Sequence, residues 1–121
     1  MARILIVDDD DAVLATMRKT LERAGHDIIV ASNGDDGLRL FRASPTDLVI
    51  TDLYMPEKEG IETIQDIRAE YPDARILAVS GGTISGTEGP LIDAELFGAN
   101  ASLAKPFAPE ELQRVVEQLL R

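Results

Sequence analysis

Two hydrophobic periods alternate along this chain, and that alternation limits its fold more than any other feature. Short, uninterrupted apolar runs stand at Ile4–Val7, Ile28–Ala31, Leu48–Ile50 and Ile76–Val79, with a weaker one at Ala101–Ala104. Runs of Val, Ile and Leu with no polar alternation fit strands covered on both faces, as in a parallel sheet. Helix-period segments lie between them. Val13, Met17, Leu21 and Ala24 fall on one face, and Gly25 follows as a stop. Leu38 and Phe41 belong to a short helix over Asp35–Arg42, with Ser32 or Asn33 as its cap. Ile61, Ile64, Ile67 and Tyr71 mark another helix, closed by Pro72. Leu112, Val115, Val116, Leu119 and Leu120 form the clearest stripe, with Pro109, Glu110 and Glu111 where helix starts prefer them.

Strand and helix segments in repeated succession predict an α/β fold. The expected architecture is a doubly wound, five-stranded parallel sheet in the order 2-1-3-4-5 with helices on both faces, the flavodoxin-like arrangement. The 121 residues fit one domain with no output domain, and no linker or repeat divides them. The least regular stretch is Gly81–Pro90, whose glycines and proline discourage helix and predict a long loop after the fourth strand.

Composition removes several kinds of function. The absence of cysteine excludes disulfides, thiolate metal sites and cysteine nucleophiles. The apolar run after Met1 is too short for a signal-peptide core or a membrane span, so a cytoplasmic protein is expected. A net charge of −10 with no basic cluster argues against nucleic acid as a partner.

Within that acidic balance, position matters. Asp8 and Asp9 follow the first apolar run and Asp52 follows the third. In the predicted strand order all three converge beyond the carboxyl ends of strands 1 and 3. Two carboxylates at ~4 Å repel by about 4 kcal/mol at an effective dielectric near ~20. Such a group raises its pKa values or binds a cation, and an all-oxygen donor set selects Mg²⁺ or another hard divalent ion such as Mn²⁺. Ser80 ends the fourth strand and Lys105 the fifth, adding a hydroxyl and an ammonium to the same edge. An acidic cation site with those two groups suits a phosphoryl group, and a carboxylate can accept it.

The segments Ile4-Leu5-Ile6-Val7-Asp8-Asp9, Asp47 to Pro56 around Asp52, Val79-Ser80-Gly81 and Lys105-Pro106-Phe107 together resemble the receiver domains of two-component response regulators. The resemblance covers nearly the whole chain and suggests a single-domain, chemotaxis-regulator-like receiver. It implies that Asp52 is the phosphoacceptor, that Asp9 ligates the metal directly, and that Asp8 holds it through water. It also implies the backbone carbonyl of Tyr54 as a further ligand, Ser80 as the hydroxyl that moves to the phosphoryl oxygen, and Lys105 as the phosphoryl-binding ammonium. Gly81 matches the small residue that leaves the phosphoryl group accessible, and the Lys105-Pro106 bond is expected to be cis. The implied partners are a sensor histidine kinase or histidine phosphotransfer protein and a downstream target protein, with the chain a monomer or a phosphorylation-dependent dimer. Such a protein assists its own phosphorylation and dephosphorylation but is not an enzyme with an outside substrate.

The chain departs from the family pattern at Ser102, where receivers often carry an aromatic ring, and in a lengthened interval from Ser80 to Lys105. The latter suggests a shortened or displaced fourth helix. Asp10 and Asp11 are expected as helix cap and first-turn residues, His26 as a surface residue, and Glu57, Lys58 and Glu59 as a solvated helix entrance. Two other functions compete. A haloacid-dehalogenase-type phosphatase would use Asp8 as nucleophile and Asp10 as acid/base, and a receiver-like docking module would not cycle phosphate at all.

Overall fold

The computed structural model describes residues 1–53, 60–80 and 98–121. Tyr54, the Glu57–Glu59 segment, Gly81, the Gly81–Pro90 loop and the expected fourth helix lie outside the described residues. The described elements are β1 (Arg3–Val7), α1 (Asp11–Arg23), β2 (Asp27–Ala31), α2 (Gly34–Ala43), β3 (Leu48–Asp52), α3 (Gly60–Glu70), β4 (Ile76–Ser80), β5 (Ala101–Ala104) and α4 (Pro109–Leu120). All strand pairings are parallel, in the order β2-β1-β3-β4-β5. The sheet topology is the one expected from the alternation of periods.

The apolar runs separate into two cores because side chains alternate across a strand. Leu5, Val7, Val49, Leu53, Ile76 and Ala78 face one side and pack with Leu38 and Phe41 of α2 and Ile64 and Ile67 of α3. Ile4, Ile6, Leu48, Ile50, Leu77 and Val79 face the other side and pack with Leu14, Met17 and Leu21 of α1 and Leu112 and Val116 of α4. Burying each large aliphatic side chain contributes about 1.5–3 kcal/mol, so both runs and helix stripes are needed to hold the sheet. The central strands β1, β3 and β4 are buried almost throughout, whereas every residue of the edge strand β5 is half-buried.

Local signals set the helix ends. The Asp10 carboxylate accepts from the N–H groups of Ala12 and Val13 and starts α1, while Gly25 at φ +96° follows its end. Asn33, rather than Ser32, caps α2 by accepting from the Asp36 N–H at 2.8 Å. Pro109 opens α4, where the Glu111 carboxylate accepts from the Ala108 N–H at 2.9 Å. Two expectations change in detail. The buried stripe of α1 is Leu14, Met17 and Leu21, leaving Val13 half-buried and Ala24 exposed. His26 is half-buried rather than on the surface, and its Nδ1 accepts from the Ala2 N–H at 3.1 Å.

One contact ties a helix directly to the site. At Gly37 in α2, an added Cβ would stand 2.7 Å from Cγ2 of Val7, the residue before Asp8. Gly37→Ala should therefore lower the free energy of unfolding by about 1–3 kcal/mol through overpacking against β1. Urea denaturation measures this, and an unchanged midpoint would show that α2 yields freely.

Candidate functional site

Parallel pairing brings distant residues to one edge of the sheet. Val7 stands beside Thr51, Asp52 beside Val79, and Ser80 beside Ala104. Asp8, Asp52, Ser80 and Lys105 therefore end or follow adjacent strands. Strand order and register, which the sequence only implied, do this positioning.

Asp8 is completely buried and both of its oxygens are engaged. Oδ1 accepts from the Asp10 N–H at 2.9 Å, and Oδ2 accepts from Lys105 Nζ at 2.7 Å. The same ammonium lies 3.3 Å from Oδ1 of Asp52, which is itself buried. Asp9 is exposed, yet one carboxylate oxygen from each of Asp8, Asp9 and Asp52 lies within 4.8 Å of the other two. Ser80 is buried at the end of β4, and its carbonyl accepts from the Lys105 N–H at 2.8 Å. The Lys105-Pro106 bond is cis, as the motif implied.

Burial dominates the electrostatics of Asp52 and, with the nearby Asp8 charge, pushes its pKa up to about 6 against the pull of Lys105. For Lys105 burial disfavours the charge, but the bond to Asp8 and the attraction of both carboxylates outweigh it and raise the pKa. Three carboxylates facing one ammonium leave an excess of negative charge. A compact set of hard oxygen donors with that excess fits a small divalent cation.

Two further residues belong here: Thr51, which the sequence offered either as a flank of Asp52 that tunes access or as an ordinary strand residue, and Gly60, which it did not single out. Thr51 is fully buried, and its hydroxyl donates to the Asp52 carbonyl at 3.1 Å. At Gly60 an added Cβ would lie 1.8 Å from that same carbonyl oxygen, and the Gly60 N–H donates to the Leu53 carbonyl at 2.9 Å. The sequence shows Thr51 only as the neighbour of Asp52 and Gly60 only as a glycine near a helix start. Asp10 is turned into the cap of α1, away from any acid/base role.

The model of the response regulator receiver domain matches residues 4–117. The chain belongs to the response regulator receiver family. Among curated relatives, the alkaline phosphatase synthesis transcriptional regulatory protein PhoP of Bacillus subtilis is 31% identical over 119 residues, covering 98% of this chain and 48% of that protein. Response regulator MprA of Mycolicibacterium vanbaalenii is 35% identical over 119 residues, covering 98% of this chain and 50% of that protein. The receiver thus spans about half the length of these relatives. Among solved structures, the Vibrio cholerae chemotaxis protein CheY4 superposes with a TM-score of 0.90 at 28% identity, covering 99% of both chains. A receiver domain from Clostridium thermocellum gives 0.89 at 29% identity, covering 99% of this chain and 94% of that one. The haloacid-dehalogenase alternative finds no support in this family assignment or in the capping role of Asp10.

The raised pKa of Asp52 makes stability depend on pH. The folded receiver holds the Asp52 proton more tightly than the unfolded chain, whose aspartates titrate near ~3.9. Stability at this group is therefore highest below that value and falls as pH rises toward about 6. With divalent ions chelated, Asp52→Asn should stabilise the receiver by ~2–3 kcal/mol at neutral pH, and the gain should vanish near pH ~4. Urea denaturation across that range checks both the sign and the window. A gain equally large at both ends would show that burial of the charge is not its source.

Proposed function

We propose that this receiver is a phosphoacceptor switch in which Asp52 takes a phosphoryl group from a phosphohistidine on a sensor kinase or phosphotransfer protein. The observation that carries the reading is the placement of Lys105 Nζ between Asp8 and Asp52 beside the three-carboxylate cluster. Asp8, Asp9 and Asp52 would hold Mg²⁺ or Mn²⁺, joined by the carbonyl of Tyr54, which lies outside the described residues. When bound, the cation supplies charge neutralisation for the phosphoryl oxygens.

The chain's own groups account for the rest. An Asp52 carboxylate oxygen attacks phosphorus, the bond to the imidazole nitrogen breaks, and the imidazole leaves with the electron pair. Lys105 turns from carboxylate neighbours toward the phosphoryl charge, and the Ser80 hydroxyl donates to a phosphoryl oxygen. Attack of water on phosphorus later breaks the bond to Asp52 and restores the carboxylate. The receiver assists both steps and has no outside substrate.

Output passes through changed contacts with a cytoplasmic target protein, by a shift between two pre-existing surfaces. Residues 1–121 serve as the receiver module. With Ser102 in β5 where an aromatic ring often stands, the signal depends on Ser80 and the connection that follows it. No helix among the described residues is long and apolar enough to cross a membrane.

Incubation with acetyl phosphate and Mg²⁺ should place an acid-labile phosphate on Asp52, mapped by mass spectrometry after borohydride reduction. Asp52→Asn and chelation by EDTA should each abolish the label. Label on Asp8 would support a phosphatase instead, and no label on the parent protein would leave a docking module.

A further inference from the structure

The peptide unit joining Asp52 to Leu53 is held from several directions. Its carbonyl oxygen accepts from the Thr51 hydroxyl at 3.1 Å, and its N–H donates to the Val79 carbonyl at 3.0 Å. Gly60 presses on the same carbonyl so closely that a Cβ would lie 1.8 Å from the oxygen. The Gly60 N–H also bonds the Leu53 carbonyl, so the first residue of α3 is fastened to the exit of β3.

Thr51 stands on the face of β3 that carries Val49 and Leu53, among apolar neighbours. A valine of nearly the same shape would fill that volume. Burying a hydroxyl is unfavourable unless it is hydrogen-bonded, so packing alone does not explain a threonine here. Its bond goes to the carbonyl of the residue whose carboxylate lies in the acidic cluster. Side-chain rotamers depend on the backbone dihedrals of their own residue, and the orientation of this carbonyl is the ψ of Asp52.

We propose that Thr51 is a positioning residue for phosphoryl transfer: its buried hydroxyl, with the close approach of Gly60, sets the peptide after Asp52 and thereby aims the Asp52 carboxylate. The inference rests on Asp52 being the acceptor. Reactive groups must be held in a narrow geometry, and a displacement of about 1 Å can cost on the order of 10²-fold in rate. Three carboxylate oxygens within 4.8 Å of one another leave little room for such a displacement. Thr51 itself is not one of the residues of the carboxylate cluster.

The test measures the rate of Asp52 labelling by acetyl phosphate at saturating Mg²⁺ in Thr51→Val, Thr51→Ser and Thr51→Ala, beside the urea midpoint of each. Losing one neutral hydrogen bond from the transition state corresponds to about fivefold in rate. Thr51→Val should be about fivefold slower than the parent, and Thr51→Ala about fivefold slower than Thr51→Ser. Thr51→Ser should keep the parental rate although losing a buried methyl lowers its stability. The hydroxyl is thus read twice, and the Ser/Ala pair decides if Thr51→Val does not fold. Rates that follow the urea midpoints, or a hydroxyl-free variant as fast as its hydroxyl-bearing counterpart, would overturn the positioning role. Parent protein labelled elsewhere than Asp52 would instead remove the phosphoacceptor reading, and this inference with it.

Discussion

One ammonium makes it tolerable for two buried carboxylates to occupy the same edge of the sheet. Lys105 Nζ, 2.7 Å from Asp8 and 3.3 Å from Asp52, offsets part of the desolvation and repulsion that their burial brings. It does not offset all of it, because burial and the Asp8 charge still push Asp52 up to about 6, with Asp9 adding a smaller third negative charge. The residual imbalance has a chemical use. Under the proposed function an acidic surplus would attract a hard cation, and cation plus ammonium together would match the charge of an arriving phosphoryl group. A fully neutralised site would be more stable and would bind neither.

That arrangement depends on register more than on any single contact. The residues meet because β1, β3, β4 and β5 run parallel and end together. Slipping one strand by a residue would turn Asp52 or Ser80 to the opposite face. The two cores prevent the slip. Ile50 and Val79 belong to one side and Val49, Leu53 and Ala78 to the other, so each central strand is keyed on both faces. Stability of the fold and aim of the site are thus properties of the same side-chain alternation.

The strands, their order, the caps at Asp10 and Asn33 and the carboxylate cluster were legible in the sequence because each has a local or periodic signal. The buried face of α1 was legible only approximately. Stepping by four from Val13 reaches Met17 and Leu21, but the helical period of 3.6 makes Leu14 the residue that completes the stripe. His26 reads as exposed beside a glycine, and only the partner amide of Ala2, from the other end of the β1–α1–β2 unit, draws it inward. Gly60 left no readable signal, and Thr51 showed only that it flanks Asp52. A threonine is an ordinary strand residue, and a glycine at a helix start is common. What distinguishes both is distance to one carbonyl, which exists only after the chain has folded.

The same distances indicate which elements feel a change at the site first. Asp8 is bonded to the amide of Asp10, whose carboxylate starts α1. Asp52 is followed by a peptide on which Gly60 begins α3. Helices α1 and α3, on opposite faces of the sheet, are therefore joined to the acidic cluster by one or two hydrogen bonds each. The edge strand β2 reaches the site through the Ala31 carbonyl, which accepts from the Asp8 N–H at 3.1 Å. A ligand can shift an equilibrium only by its differential interaction with the two states, and a charge arriving among these groups would compete for Lys105, the shared partner of Asp8 and Asp52. The site is thus connected to its helices closely enough for one added charge to be felt beyond the edge of the sheet where it lands.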